Sequence, residues 1–148
     1  MNNEANFQEF FKAYLICALW SSSDTIEEGE EPINLDNDYD IDDIDIKCKK
    51  ELESEARPFY EANKQYFDYE TKTCLDRFYK HGIAHEETNT YDKYAQAGHD
   101  FWLTRNGHGT GFWDKNELSK ENRDILTEAC KKYPEINLYI GDDNKIYC

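Results

Sequence analysis

Residues 98–114, reading GHDFWLTRNGHGTGFWD, constrain this chain more than any other segment. They place two Trp, two Phe, two His and four Gly within seventeen positions. Large rings beside permissive glycines demand one defined local geometry. Residues 100–104 and 111–114 are aromatic, β-prone runs, and Asn106-Gly107 between them is the strongest short signal for a two-residue hairpin turn. That turn pairs Arg105 with His108, Leu103 with Thr110, Phe101 with Phe112 and Asp100 with Trp113. Alternation along each strand then puts Phe101, Leu103, Arg105, His108, Thr110 and Phe112 on one face. On the other face, Trp102 lies over the gap left by Gly111. A strand hairpin is therefore the predicted structure here, and it accounts for the glycines and tryptophans without a ligand.

The hairpin also tests the chemistry these residues could support. His99, Asp100, His108 and Asp114 are all possible metal ligands. His99 falls at the base and His108 at the tip, separated by roughly 20 Å at about 3.3 Å per residue. They cannot share one ion, so no metal site is predicted. His99, Asp100 and Asp114 remain together at the open end and form the candidate catalytic set. Histidine titrates near neutrality and would act as general base, with a carboxylate orienting it. Arg105 and His108 share the tip, where they are candidates for contacting a partner. Arg105 is too far from His99 to complete a catalytic site, which counts against an enzyme.

Charge narrows the function classes further. The chain carries a formal −15 over 148 residues, unevenly spread. Residues 1–23 contribute −1, residues 24–55 contribute −11 and residues 56–148 contribute −3. From Asp24 to Asp45 there are eleven carboxylates and no cation. A surface of this sign does not hold phosphates, so direct nucleic-acid binding is not expected. Residues 107–111 lack the lysine and following helix of a phosphate-binding loop. Residues 36–45 lack the glycine and terminal glutamate spacing of a calcium loop. No cofactor is predicted. No apolar run approaches the eighteen or so residues of a membrane span, and no signal peptide is recognisable. The five cysteines, Cys17, Cys48, Cys74, Cys130 and Cys148, are odd in number, scattered and without a Cys-x-x-Cys pair. Reduced thiols in a cytosolic protein are the expectation.

Periodicity supplies the remaining elements. Phe7, Phe10, Phe11, Tyr14, Leu15, Ala18 and Leu19 recur at helical spacing and predict a helix over 6–20. Residues 25–37, with Gly29 and Pro32 among acids, read as a surface loop. A second helix is expected from Asp42 or Asp43 to Phe67, kinked or split by Pro58. A third runs over 69–80 and ends at Gly82 as a left-handed cap. A short helix over 91–97 leads into the hairpin, another spans 119–133 before Pro134, and 136–140 with 145–147 form a second hairpin. The predicted fold is α+β: one domain over 1–148, with an acidic segment at about 24–55 and a small antiparallel sheet of two hairpins packed against several helices.

Residues 98–114, together with Tyr14-Leu-Ile-Cys-Ala-Leu-Trp-Ser-Ser and Leu138-Tyr-Ile-Gly-Asp-Asp-Asn-Lys-Ile-Tyr, resemble a family of small tailed-bacteriophage proteins. The resemblance is specific in 98–114, partial at the two ends and weak between 27 and 89. It implies a virus-encoded protein acting in the host cell cytoplasm, and it carries over no catalytic residues.

Duplex DNA presents one charge per roughly 1.7 Å of axis, and a carboxylate cluster can offer a comparable field to a protein that binds DNA. Taken with the resemblance, the expected function is a non-catalytic binder of a host bacterial protein with a basic surface. Such a binder would inhibit a DNA-binding or defence protein, with nucleic-acid mimicry as one route. Asp36, Asp38, Asp40, Asp42, Asp43 and Asp45, with Arg105 and His108, are the candidate partner-binding residues. The alternatives are a small hydrolase-like enzyme around His99, Asp100 and Asp114, or a virion or assembly component.

Overall fold

The computed structural model of the chain describes residues 2–24, 29, 31–69 and 72–148. Residues 25–28 and 30 of the expected surface loop lie outside that set. Helix α1 (Asn3–Ser21) starts where the Asn2 side chain accepts hydrogen bonds from the backbone N–H groups of Glu4 and Ala5, leaving fewer of the helix's first donors unsatisfied. Phe7, Phe10, Phe11, Tyr14, Leu15, Cys17, Ala18 and Leu19 are all buried. That stripe is wide because α2 (Ile46–Asn63), α3 (Lys93–Arg105) and the turns between residues 35 and 43 all pack on α1. Helix α2 begins at Asp45, whose carboxylate accepts from the N–H groups of Lys47 and Cys48. It runs through Pro58 without dividing. Pro58 itself is exposed, while Ala56, Phe59 and Tyr60 on either side of it are buried. Packing on both flanks overrides the local penalty of the proline.

The predicted hairpin at 98–114 is not formed. Asp92 caps α3 by accepting from Ala95 N–H at 2.9 Å, and the helix continues through Phe101 and Trp102 to Arg105. Asn106-Gly107 ends this helix instead of turning a hairpin. Gly107 takes φ of +67°, its N–H donates to Thr104 O, and His108 N–H donates to Leu103 O at 3.0 Å. These two bonds are the pair that define a Schellman cap, which needs the same left-handed glycine that a hairpin turn would use. Gly98 marks a close helix crossing: a Cβ there would meet the Phe10 carbonyl and lie 3.2 Å from Tyr14 N. Gly111 is packed under the Thr104 side chain, not under Trp102. Trp102 is buried, edge-on to Tyr14 at 5.3 Å, with its indole N–H donating to Ser21 Oγ at 2.7 Å.

The hairpin lies elsewhere. Residues expected to form the third helix make strand β3 (Lys72–Lys80), paired antiparallel with β4 (Ile83–Tyr91) from Lys72↔Tyr91 to Lys80↔Ile83. Both turn residues have positive φ, 52° at His81 and 77° at Gly82, as a two-residue type I′ turn requires. Gly82 is thus a turn residue and not a helix cap. Two short pairs complete the strands: β1 (Ser23–Asp24) with β2 (Ile33–Asn34), and β5 (Tyr139–Ile140) with β6 (Ile146–Tyr147). The last of these is the expected second hairpin. Helix α4 (Lys120–Cys130), capped by Ser119, precedes it. The fold is α+β, with the strands forming three separate two-stranded ribbons instead of one sheet.

One aromatic core joins these elements. Phe59 of α2 and Phe101 of α3 stack at 3.9 Å and 6°. Phe10, Phe67, Tyr14 and Phe112 gather around them within 6.5 Å centroid separations. Cys48 and Cys148 form a disulfide across a sequence separation of 100, contrary to the expectation of reduced thiols throughout. Cys17 and Cys130 are free and buried, and the Cys74 side chain lies outside the described part.

Candidate functional site

The acidic segment is built into the fold. Asp40 and Asp43 make a reciprocal capping box over the 3-10 turn Ile41–Asp43: the Asp40 carboxylate accepts from Asp42 N–H, and Asp43 Oδ2 accepts from Asp40 N–H at 2.9 Å. Asp45 caps α2, and its own N–H donates to Ile146 O at 2.7 Å. Asp24 accepts from Ile140 N–H at 2.8 Å. Several carboxylates of this run therefore satisfy backbone donors, which fixes their positions. Asp36 is half-buried, and burial raises its pKa. Among the described residues, the exposed Asp42 side chain makes no ion pair or hydrogen bond.

The same contacts bring a second acidic stretch alongside. Asp142 and Asp143 lie in the turn between β5 and β6, next to Asn144, whose Oδ1 accepts from Tyr39 OH at 3.2 Å. Tyr39 and Tyr147 register the resulting field. Burial first, then Asp38, Asp43 and Asp24, raise the Tyr39 phenol. Tyr147 is pushed up to about 12, chiefly by its 2.6 Å hydrogen bond to Asp143, with burial and the charges of Asp143 and Asp45 adding to it. The turn carrying Asp142 and Asp143 thus lies against the segment that carries Asp38, Asp40, Asp42, Asp43 and Asp45. Nothing local in the sequence joins 142–143 to 38–45; tertiary contacts through Tyr39, Asp45 and Ile146 do.

The other candidates are placed differently from the sequence expectation. Arg105 is not at an exposed tip: its side chain is fully buried, donating to Pro134 O at 2.7 and 3.1 Å and to Tyr14 OH at 3.1 Å, with Glu55 at 3.1 Å. It fastens the segment after α4 to α3 and offers nothing to a partner. His108 is exposed beyond the helix cap, away from the buried Arg105.

His99 and Asp114 do not face each other across strands, yet both lie near Asp100. Asp100 is 1% exposed, and its Oδ2 accepts from Tyr69 OH at 2.6 Å. Lys115 Nζ lies 3.0 Å from Asp100 Oδ1 and 3.6 Å from Asp114 Oδ1. No aligned hydrogen bond reaches Oδ1, so charge makes that contact. His99 Nδ1 is 3.8 Å from the same oxygen, beyond hydrogen-bond reach, and its ring packs on Trp20 at 5.8 Å.

Burial alone would lower the Lys115 pKa, but the Asp100 and Asp114 carboxylates outweigh it and raise it. Burial likewise works to raise Asp114, while Gly111 N–H, Thr110 and Lys115 hold it below the usual range. Burial and Asp100 together push the Tyr69 phenol well up. Lys115 and Tyr69, which sequence reasoning missed, complete a network that ties α3 to the 3-10 turn Phe112–Asp114 and to residue 69. A lysine ammonium stands between the two carboxylates, and no metal-binding group of three ligands occurs among the described residues. Two shallow concavities, one along α4 at Asp124 and Lys132, the other beside Asn3 and Tyr94, do not reach Asp100.

No protein-family model matches the chain, and no curated protein or solved structure matches it either. No helix among the described residues is long and apolar enough to cross a membrane.

Proposed function

We propose that this chain is an acidic, non-catalytic binding protein that presents Asp38, Asp40, Asp42, Asp43, Asp45, Asp142 and Asp143 to a basic surface on another protein. One observation carries the reading. Two acidic stretches a hundred residues apart are held beside each other by the Asp45–Ile146 backbone bond and the Tyr39–Asn144 contact. Fixing like charges side by side opposes folding through self-repulsion, and a cationic partner relieves that repulsion on binding. The resemblance to tailed-phage proteins makes a host bacterial DNA-binding or defence protein the partner of choice. Mimicry of nucleic acid is the natural means, because such partners already carry surfaces selected for phosphate.

The test compares two triple variants of equal charge. Asp38→Asn, Asp42→Asn and Asp142→Asn neutralise the face and spare the capping carboxylates of Asp40, Asp43 and Asp45. Glu121→Gln, Asp124→Asn and Glu128→Gln neutralise α4 instead. A partner recovered from host lysate by the wild-type chain and released by moderate salt should bind the first variant about tenfold more weakly, as a few exposed ion pairs imply. It should bind the second almost unchanged. Equal loss in both would reduce the effect to net charge and refute a defined face.

A further inference from the structure

The β3–β4 hairpin is held at its turn. From Leu75 to Thr88 every described side chain is exposed except that of Lys80, which is half-buried. Leu75, Tyr79 and Ile83 are 51, 63 and 61% exposed, so these three side chains gain little from apolar burial. An isolated two-stranded ribbon is marginal in water. Its turn, by contrast, makes three contacts with the acidic segment. His81 N–H donates to Asn37 O at 2.9 Å, His81 Nδ1 lies 3.3 Å from Asp38 Oδ1, and Lys80 Nζ lies 3.7 Å from Asp40 Oδ2. The Lys80–Asp40 ion pair and the His81–Asp38 contact are open to solvent on both sides, so dissolved ions screen the charged pair.

We propose that the hairpin Lys72–Tyr91 is an electrostatically latched arm, whose turn leaves the acidic segment when salt or a polycation competes for Asp38 and Asp40. The latch stands on the contacts at the turn. Its role rests on the acidic-face reading, because opening uncovers two carboxylates assigned to that face. In the closed state Lys80 and His81 occupy those carboxylates, and a partner with more closely spaced cations displaces them. The arm thus favours partners with several cations in register over a single stray lysine.

Amide hydrogen exchange at constant pH reads the latch directly. Between about 0.01 and 1 M NaCl the screening length falls from about 30 to 3 Å. Exchange at the His81 amide should then rise about 1.5- to fivefold, the range expected for losing the exposed Lys80–Asp40 ion pair. Exchange at the buried Trp102 amide should stay unchanged. In a Lys80→Ala/His81→Asn variant the left-handed conformation at position 81 (φ 52°) is retained by an asparagine. There the residue-81 amide should exchange fast already at low salt and show no salt response. The proposal is overturned if wild-type His81 exchange ignores salt, if His81 and Trp102 accelerate together, or if the variant keeps the salt response.

A second arm separates the latch from its role. A short polyarginine peptide should bind the double variant more tightly than a Lys120→Ala variant, which loses the same formal charge on α4. A salt-labile turn combined with equal peptide binding would leave the latch standing and overturn the acidic-face reading at Asp38 and Asp40.

Discussion

Breaking the Cys48–Cys148 bond should destabilise the chain chiefly through its unfolded state. The bond closes a loop across a sequence separation of 100. Closing a loop of that length removes about 16 cal/mol/K of unfolded-chain entropy, or about 4.7 kcal/mol at 25 °C. Total stabilities of domains run at about 5–15 kcal/mol, so this one bond decides a large share. The native contacts near it do not depend on the sulfurs. Ile146 stays buried, Asp45 N–H still reaches Ile146 O, and Tyr39 still donates to Asn144. A Cys148→Ser variant should therefore keep its fold while its thermal midpoint falls by roughly 10–20 °C, at about 2–4 °C per kcal/mol for a chain of this size. The urea dependence should also steepen, because the uncrosslinked unfolded chain exposes more surface.

Urea unfolding followed by tryptophan fluorescence checks both, on the oxidised chain, the reduced chain and Cys148→Ser. Reduced wild type and the variant should coincide. With Cys48 bonded to Cys148 and with Cys17 and Cys130 free, those two thiols should titrate in denaturant without reductant while Cys48 and Cys148 should not. Five titrating thiols, or equal midpoints for oxidised and variant chains, would refute the reasoning and restore the reduced-thiol expectation.

Two further outcomes follow from the core. Gly98→Ala places a methyl group against the Phe10 carbonyl where α1 and α3 cross. The helices must separate, at about 1–3 kcal/mol, offset by up to about 1 kcal/mol of helix propensity. A net loss in urea unfolding is expected, and a gain would mean the helices do not meet there. The second outcome is alkaline. The Tyr69 phenol is raised well above its ordinary 10.0 by burial and Asp100, and burial also raises Tyr14. Lys115 is raised as well, because two carboxylates outweigh its burial. Groups with raised folded pKa values contribute stability fully below their unfolded values and lose it as pH climbs toward the folded ones. Stability should hold to about pH 9 and then fall by up to about 1.36 kcal/mol per pH unit for each proton the folded state retains. Tyr69→Phe should flatten that decline, and a pH-independent midpoint up to pH 11 would contradict the buried network.

The α+β class and several elements were legible in the sequence because their signals are local. The apolar spacing from Phe7 to Leu19, the helical pattern over 119–133 and the turn at 141–144 each admit one reading, and each formed. The two glycine turns did not admit one reading. Asn106-Gly107 and His81-Gly82 both supply a left-handed glycine, and a helix cap and a hairpin turn need that residue equally. The structure assigns them in the order opposite to the sequence expectation, and the deciding contacts are distant. Gly98 fits between Phe10 and Tyr14 only as part of a helix crossing α1, and Arg105 reaches Tyr14 and Pro134 only from that helix.

The candidate sites divide along the same line. A run of carboxylates announces its charge, so the acidic segment was visible. That Asp142 and Asp143 join them depends on Ile146 and Asn144 meeting residues a hundred positions away. Asp100 shows the converse. Set between His99 and a supposed strand it resembled a catalytic carboxylate, but burial beside Tyr69 and Lys115 makes it the centre of a network joining separate elements. A residue type suited to chemistry becomes a site only when solvent or substrate can reach it, and reach is a property of packing that a linear pattern does not contain.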